Sequence, residues 1–287
     1  MATLHLLSDA FGSIETDHAH SRRGALLIYC ILNADGNLPH TFPTGIDGRP
    51  VEIVEYDELG AVVSEVHSSR DTAFAPELSH LLAYERVVEA FHRECPVLPM
   101  RYGSILEDEA RLLHLLRERG ATYRSLLREV GGCVEMRVRI LLTPEAKRGE
   151  RGLQGFAAEL PICSLGRAYL ELRKAQYAEK DRAAEREAAL IERLRDAFAG
   201  LYTRCVSGQS FAWVPAGARE PLLQRHDEQK ALRVLPLDFL TRRESEEAFR
   251  KTFHRVSQEG PVKLLMSGPW PPYTFVFRMT EVNDEER

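Results

Sequence analysis

An α+β fold in two domains is predicted for this 287-residue chain, and three observations predict it. Apolar residues switch repeatedly between alternation and three- to four-residue steps, the periods of strands and helices. From residue 133 the inferred order is strand, helix, strand, strand, helix, strand, that of a ferredoxin-like βαββαβ domain. The preceding stretch is also mixed, and the length suits two domains. The expected divisions are a mobile leader over 1–23, an N-terminal mixed α/β domain over 24–131, a C-terminal ferredoxin-like domain with a long helix over 132–278, and a tail over 279–287.

The elements follow in order. Residues 1–23 are polar and without sustained period. ALLIYCILN (25–33) is an apolar run of β type closed by the turn residues ADGN. Prolines and glycines crowd residues 36–50, which predicts a loop. VEIVEYD and GAVVSEV alternate on either side of ELG, as in a hairpin. In PELSHLLAYERVVEAFHREC (76–95), Leu78, Leu81, Leu82, Val88, Phe91 and Cys95 form one helical face, with Pro76 at its start and Pro96 at its stop. PVLPMRYGSIL (96–106) reads as a short strand running into a glycine turn. EDEARLLHLLRERG is a helix with an acidic first turn and a basic last one, ended by Gly120, and ATYRSLLREVGG is a second, shorter helix.

CVEMRVRILLT (133–143) is a strand. From about Gly166 to Leu201, a stripe of Leu165, Tyr169, Leu172, Leu190, Leu194 and Phe198 flanks a middle of alanine and charge. That pattern fits a protruding helix or a hairpin of two helices, and lacks sustained heptads. YTRCVSGQSFAWVP (202–215) is strand material broken by a glycine turn. LRVLPLDFLT (232–241) is a strand whose proline favours an edge or a bulge. RRESEEAFRKTFHRVSQEG is a helix with Phe249, Phe253 and Val256 on one face, closed by Gly260. PVKLLMSG is the last clear strand.

Composition limits the function. A hydrophobic content of 44%, a charged content of 28% and a net charge of -5 describe a folded protein with no overall basic balance for nucleic acid. No apolar run reaches the roughly 20 residues of a spanning helix, and the N-terminus lacks the pattern of a secretion signal, so a cytoplasmic location is expected. Cys30, Cys95, Cys133, Cys163 and Cys205 are scattered and include no C-x-x-C pair, which points to reduced, buried thiols rather than zinc.

No phosphate loop, dinucleotide fingerprint or nucleophile elbow is present, and SGQS (207–210) is a turn. His18 and His20 make an H-x-H in the leader, two ligands where a site needs three or four. His92 and Cys95 lie one turn apart and read as a half-exposed histidine beside a packed thiol. His254 with Glu246 or Glu247 has no nucleophile to serve. Glu85 lies near the apolar side of its helix, and a buried carboxylate needs a partner. A structural ion pair of Arg101 with Glu85 or Glu135 is the expectation. The charges of the long helix, Arg167, Arg173, Lys174, Lys180 and Arg182 against Glu171, Glu179 and Asp181, are balanced and suit a solvated face. No catalytic residue, cofactor or metal ligand emerges.

Two segments carry a resemblance. VLPMRYGSIL (97–106) holds Pro99, Arg101, Tyr102 and Gly103. VKLLMSGPWPPYTFV (262–276) holds Gly268, Pro269, Trp270, Pro271, Pro272, Tyr273 and Phe275. Together they resemble the gas vesicle protein GvpL/GvpF family, with Thr274 where the family usually has serine, over about residues 24–278. The resemblance implies a cytoplasmic, non-enzymatic accessory or minor structural protein of gas vesicles. Its implied partners are the small hydrophobic shell protein GvpA and other gas vesicle proteins, with neither nucleic acid nor membrane. No catalytic residues are implied.

For Trp270, Pro271, Pro272, Tyr273 and Phe275 two roles stand side by side. Stiff prolines and large rings suit partner docking. Burial of the rings in a clasp between domains, with TFVF as a final strand on the N-terminal half, suits them equally. The rival functions are a small-molecule enzyme or sensor on the ferredoxin-like domain, and RNA binding on its sheet.

Overall fold

The computed structural model describes residues 24–35, 38–66, 77–142, 162–209, 211–213, 232–259 and 262–277. The expectations for the leader with His18 and His20, for the side chain of Cys163, for Gly260 and for the tail fall outside the described residues. The architecture is α+β with two antiparallel sheets. It divides into two compact units, Met1–Ala90 with Met100–Arg124, and Phe91–Pro99 with Ser125–Arg287.

In the first unit, β1 (Ala25–Asn33) is buried almost end to end. A strand covered on both faces has no polar side to present, hence its unbroken apolar run. It pairs antiparallel with β3 (Leu59–Val66), which forms a hairpin with β2 (Glu52–Tyr56). The hairpin turns at Asp57, where φ is 56°. Helix α1 (Leu78–Glu94) sets the Tyr84 hydroxyl against the carbonyls of Ile28, Tyr29 and Met100 at 3.2, 3.0 and 2.8 Å. The chain passes through β4 (Val97–Pro99), which is grouped with the second unit, and after the turn at Gly103, β5 (Ile105–Leu106) returns to β1.

Helix α2 (Glu109–Val130) is one helix rather than the expected two. Leu112, Leu116, Tyr123, Leu127 and Val130 make one buried stripe that runs straight through Gly120. A glycine inside a helix costs only about 1 kcal/mol relative to alanine, less than the burial of that stripe contributes.

The second unit follows with β6 (Cys133–Leu142), α3 (Ile162–Ala197), β7 (Arg204–Ser207), β8 (Phe211–Trp213), β9 (Leu232–Arg242), α4 (Glu246–Glu259) and β10 (Lys263–Trp270). The strand order is β10-β6-β9-β7, with β8 also on β9. Val134, Met136, Val138 and Ile140 of β6 alternate toward one face, with Leu235, Leu237 and Phe239 of β9. Phe249 and Phe253 of α4, Leu194 of α3 and Phe198 close over them. The rings of Phe198 and Phe249 stack at 4.3 Å, and both lie near Phe239.

Helix α3 is continuous, not a hairpin, and at 36 residues it is about 54 Å long. Among its described side chains, Ile191, Leu194 and Ala197 of the C-terminal turns reach the core. Toward its other end Leu170 and Tyr177 are 67% and 57% exposed.

Strand β9 is central, although its proline predicted an edge or bulge. The Pro236 carbonyl accepts from the Gly208 N–H just past β7, and in an antiparallel ladder a residue's N–H and C=O point the same way. The donor that proline lacks would therefore face the break between β7 and β8. The interruption lies in the neighbouring strand.

His92 is a second correction. It is 7% exposed, not half-exposed. Arg243, at the corner after β9, donates to the His92 carbonyl and covers the end of α1. Neither ring nitrogen has a hydrogen-bond partner. Burial, and then the Arg243 guanidinium, lower its pKa from 6.5 to about 3. Cys30, Cys95 and Cys133 are buried cysteines and Cys205 is half-buried. Burial, then Glu94, raises Cys95 to about 11.

Because folding depresses the His92 pKa, its neutral form contributes fully above pH 6.5, and that contribution is lost as pH falls toward 3. Urea unfolding from pH 7 to 4 should show the wild type losing stability relative to His92→Leu. The gap grows about tenfold in the folding equilibrium constant per pH unit below the unfolded pKa. Identical acid limbs would refute this.

Candidate functional site

The segment from Ser267 to Phe277 departs from a plain strand at its first step. Ser267 pairs with Arg137 and Trp270 with Glu135, so three residues of β10 span two of β6. The extra residue is a β-bulge at Gly268 and Pro269, joined by a cis peptide bond. Gly268 has a φ of 118°, and a Cβ there would sit 2.7 Å from the Glu135 carbonyl oxygen. Only glycine fits both conditions. Arg250 of α4 anchors the bulge by donating to the Gly268 carbonyl at 2.7 Å.

Pro271 and Pro272 are buried, and residues 273–277 form a helical turn, not the strand that TFVF suggested. The Val276 N–H donates to the Pro272 carbonyl at 3.1 Å. Two prolines disfavour a ladder because they supply no N–H, yet suit the entry to a helical turn. Phe275 packs with Cys133 and Leu240, and Val206 lies against them. By alternation these residues face away from Met136 and Phe239, so the turn covers the sheet face opposite the helices.

Beneath the turn lies Glu135, with no exposed surface. Its Oε1 accepts from Arg137 Nε at 2.6 Å and from Thr274 Oγ1 at 2.8 Å. Its Oε2 accepts the Thr274 N–H at 2.7 Å. Burial raises the Glu135 pKa, while Arg137 and Thr274 oppose the rise. Its ionic partner is thus Arg137, two residues along β6, rather than the expected Arg101. Beside it, Arg139 donates to Asp238 at 2.7 Å. Two carboxylates and two guanidiniums balance across the face.

Trp270 is 38% exposed, so the large ring of the segment is not enclosed. The Arg137 guanidinium lies 6.0 Å from the ring centroid, and the indole N–H donates to Ser267 Oγ at 3.2 Å. Leu265, 48% exposed, shares this face as the cross-strand neighbour of Arg139. Tyr273 is half-buried, its ring centroid 6.1 Å from that of Phe277. An exposed ring and leucine beside fixed guanidiniums suit protein contact; no group here is placed as nucleophile or general base.

The other sequence candidates form no catalytic set among the described residues. His254 is exposed on α4, while Glu246 and Glu247 pair with Arg250 and Lys251. Arg101 is exposed and Glu85 half-buried on α1. Among the described residues no three His, Cys, Asp or Glu side chains gather as metal ligands, and no helix is long and apolar enough to cross a membrane. A cavity of about 110 Å³ in the first unit is lined by Leu26, Pro50, Glu52, Val63 and Glu65. Sequence reasoning missed Thr274, Asp238 and the bulge. The one available signal was Gly268 before a proline inside a strand pattern.

Gly268→Ala should destabilise the protein by about 2–3 kcal/mol in chemical denaturation, from a left-handed φ and a backbone clash. A variant of wild-type stability would show that the bulge tolerates a side chain.

Residues 25–277 match the family described as gas vesicle synthesis protein GvpL/GvpF. The chain is 23% identical over 258 residues to gas vesicle protein L1 of Halobacterium salinarum, covering 86% of this chain and 89% of that one. It is 26% identical over 230 residues to gas vesicle protein F of a Streptomyces species, covering 79% and 88%. The fold is similar to the crystal structure of GvpF from Anabaena sp. PCC7120, with a TM-score of 0.64 at 18% identity over 88% of this chain and 96% of that chain. GvpF from Microcystis aeruginosa gives a TM-score of 0.61 at 17% identity, over 88% and 98%. With the match running through both signature segments, the chain belongs to the GvpL/GvpF family of gas vesicle synthesis proteins.

Proposed function

We propose that this protein is a non-enzymatic gas vesicle accessory or minor structural protein. It acts in the cytoplasm, binds the hydrophobic shell protein GvpA and assists nucleation or growth of the wall. Family membership supports a gas vesicle role. The observation that carries the docking mechanism is Trp270, left partly exposed on a segment otherwise fixed by buried prolines and by Glu135. A subunit that will line a gas space carries an apolar face before assembly, and that face aggregates in water unless covered. A stiff, ring-bearing surface covers it at low entropic cost, and Trp and Arg are the side chains that most often anchor interfaces. The second unit reads as a ferredoxin-like domain; its order β10-β6-β9-β7, with both helices packed on one face, supports that reading.

In the first unit, we infer that Arg101 of the first signature pairs with Glu85 of α1, tying the turn after β4 to that helix. The arginine is exposed, so the pair contributes modestly.

Immobilised wild-type protein should retain GvpA from a lysate of vesicle-forming cells. Trp270→Ala should retain about tenfold less or worse, the scale of an interface anchor, with little change in melting temperature. Retention of no vesicle protein, together with normal vesicles in a deletion strain, would sink the proposal. Arg101→Met should lower stability by roughly 1 kcal/mol or less, and Glu85→Gln should add nothing to it; additive losses would disprove the pair.

A further inference from the structure

We propose that Glu135 is a positioning residue for Trp270, holding that ring in the pose the apolar shell subunit meets; this rests on the docking role argued above. Glu135 and Trp270 are direct cross-strand neighbours on β6 and β10. The Glu135 carboxylate fixes Arg137 through Nε at 2.6 Å, and the Arg137 guanidinium lies 6.0 Å from the Trp270 ring centroid. The same carboxylate fixes the Thr274 N–H at 2.7 Å and the Thr274 hydroxyl at 2.8 Å, in the turn the chain enters after Trp270, Pro271 and Pro272.

One enclosed carboxylate therefore restrains Trp270 twice, through the cation over its ring and through the chain that leaves it. The Ser267 hydroxyl, accepting the indole N–H at 3.2 Å, holds a third side. Any donors could satisfy a buried carboxylate. Here one donor, Arg137, lies over the exposed ring, and the other two belong to Thr274 in the turn that follows it. A side chain this open to solvent ordinarily samples several rotamers, and fixing it beforehand reduces the freedom lost on docking.

The test uses the full chain carrying Trp213→Phe, which leaves Trp270 as its one tryptophan of two. Acrylamide quenching and fluorescence anisotropy report the freedom of the ring, and retention of purified shell protein reports docking. Glu135→Gln should raise the quenching constant and weaken retention, each by about two- to fivefold, the scale of an exposed cation–π contact. Thr274→Val, which keeps the shape but loses the hydroxyl, should move both readouts the same way, and Thr274→Ser should restore them.

A purely structural role would lower the melting temperature while leaving folded-state quenching unchanged, and that result overturns the proposal. If Glu135→Gln does not fold, the Val and Ser variants decide the matter on the same readouts. Loosening of Trp270 with undiminished retention also overturns it. Loosening when even the wild type retains no shell protein supports the positioning role and removes the docking reading instead.

Discussion

A carboxylate with no exposed surface must be fully ligated by the fold, and Glu135 imposes that condition on the second unit. Its strand is central, so no shift of backbone can bring it to water. The chain meets the condition with one side chain of the same strand, Arg137, and with Thr274, 139 residues further on. The second contact exists only if β10 reaches its end in register and the closing turn folds back over the sheet. Ligating Glu135 therefore joins strand pairing, the Gly268 bulge and the Pro-rich turn into one arrangement.

That arrangement gives the sheet two different faces. One is a conventional core in which the rings of Phe198, Phe239 and Phe249 lock α3 and α4 to β6 and β9. The other is a charged grid, Glu135 and Asp238 against Arg137 and Arg139, roofed at one end by Phe275 and open beside Leu265 and Trp270. Arg250 joins the two sides, since it projects from the helix layer and grips the bulge that turns the chain toward the grid. The family signature thus marks the place where core packing and surface display constrain each other. This explains how a segment without catalytic chemistry can combine buried prolines with an exposed ring.

Features set by neighbours in the chain were legible in the sequence. The apolar run of β1, the β2–β3 hairpin and the Phe249–Phe253 stripe of α4 all follow from local period and turn chemistry, whereas the expected α1 face holds only from Val88 on, since Leu78 and Leu82 are exposed and Tyr84 and Val87 are buried. Features set by distant neighbours were not. Gly120 looked like a helix end, because the cost of glycine is local while the stripe that overrides it is tertiary. Pro236 looked like an edge residue, because the break it faces belongs to another strand. His92 looked half-exposed, because Arg243 lies 151 residues away. At the candidate site the motif was visible, but Glu135 entered only as an alternative partner for Arg101. Its true partners were hidden because an alternating strand shows which side chains share a face, not what folds over that face.

Helix α3 has an energetic character unlike the rest of the second unit. Its last turns are held by the aromatic core, while Leu170 and Tyr177 are exposed. The stretch after Tyr177 draws its order from internal ties such as Arg182 and Arg186 to Glu179, each a weak and salt-sensitive contact. Unwinding between Tyr177 and Arg186 would remove none of the core contacts of Ile191, Leu194 and Ala197, and amide protection should climb from there toward Phe198. The second unit thus holds one length of helix whose order depends on surface charge and ionic strength and another whose order depends on ring packing.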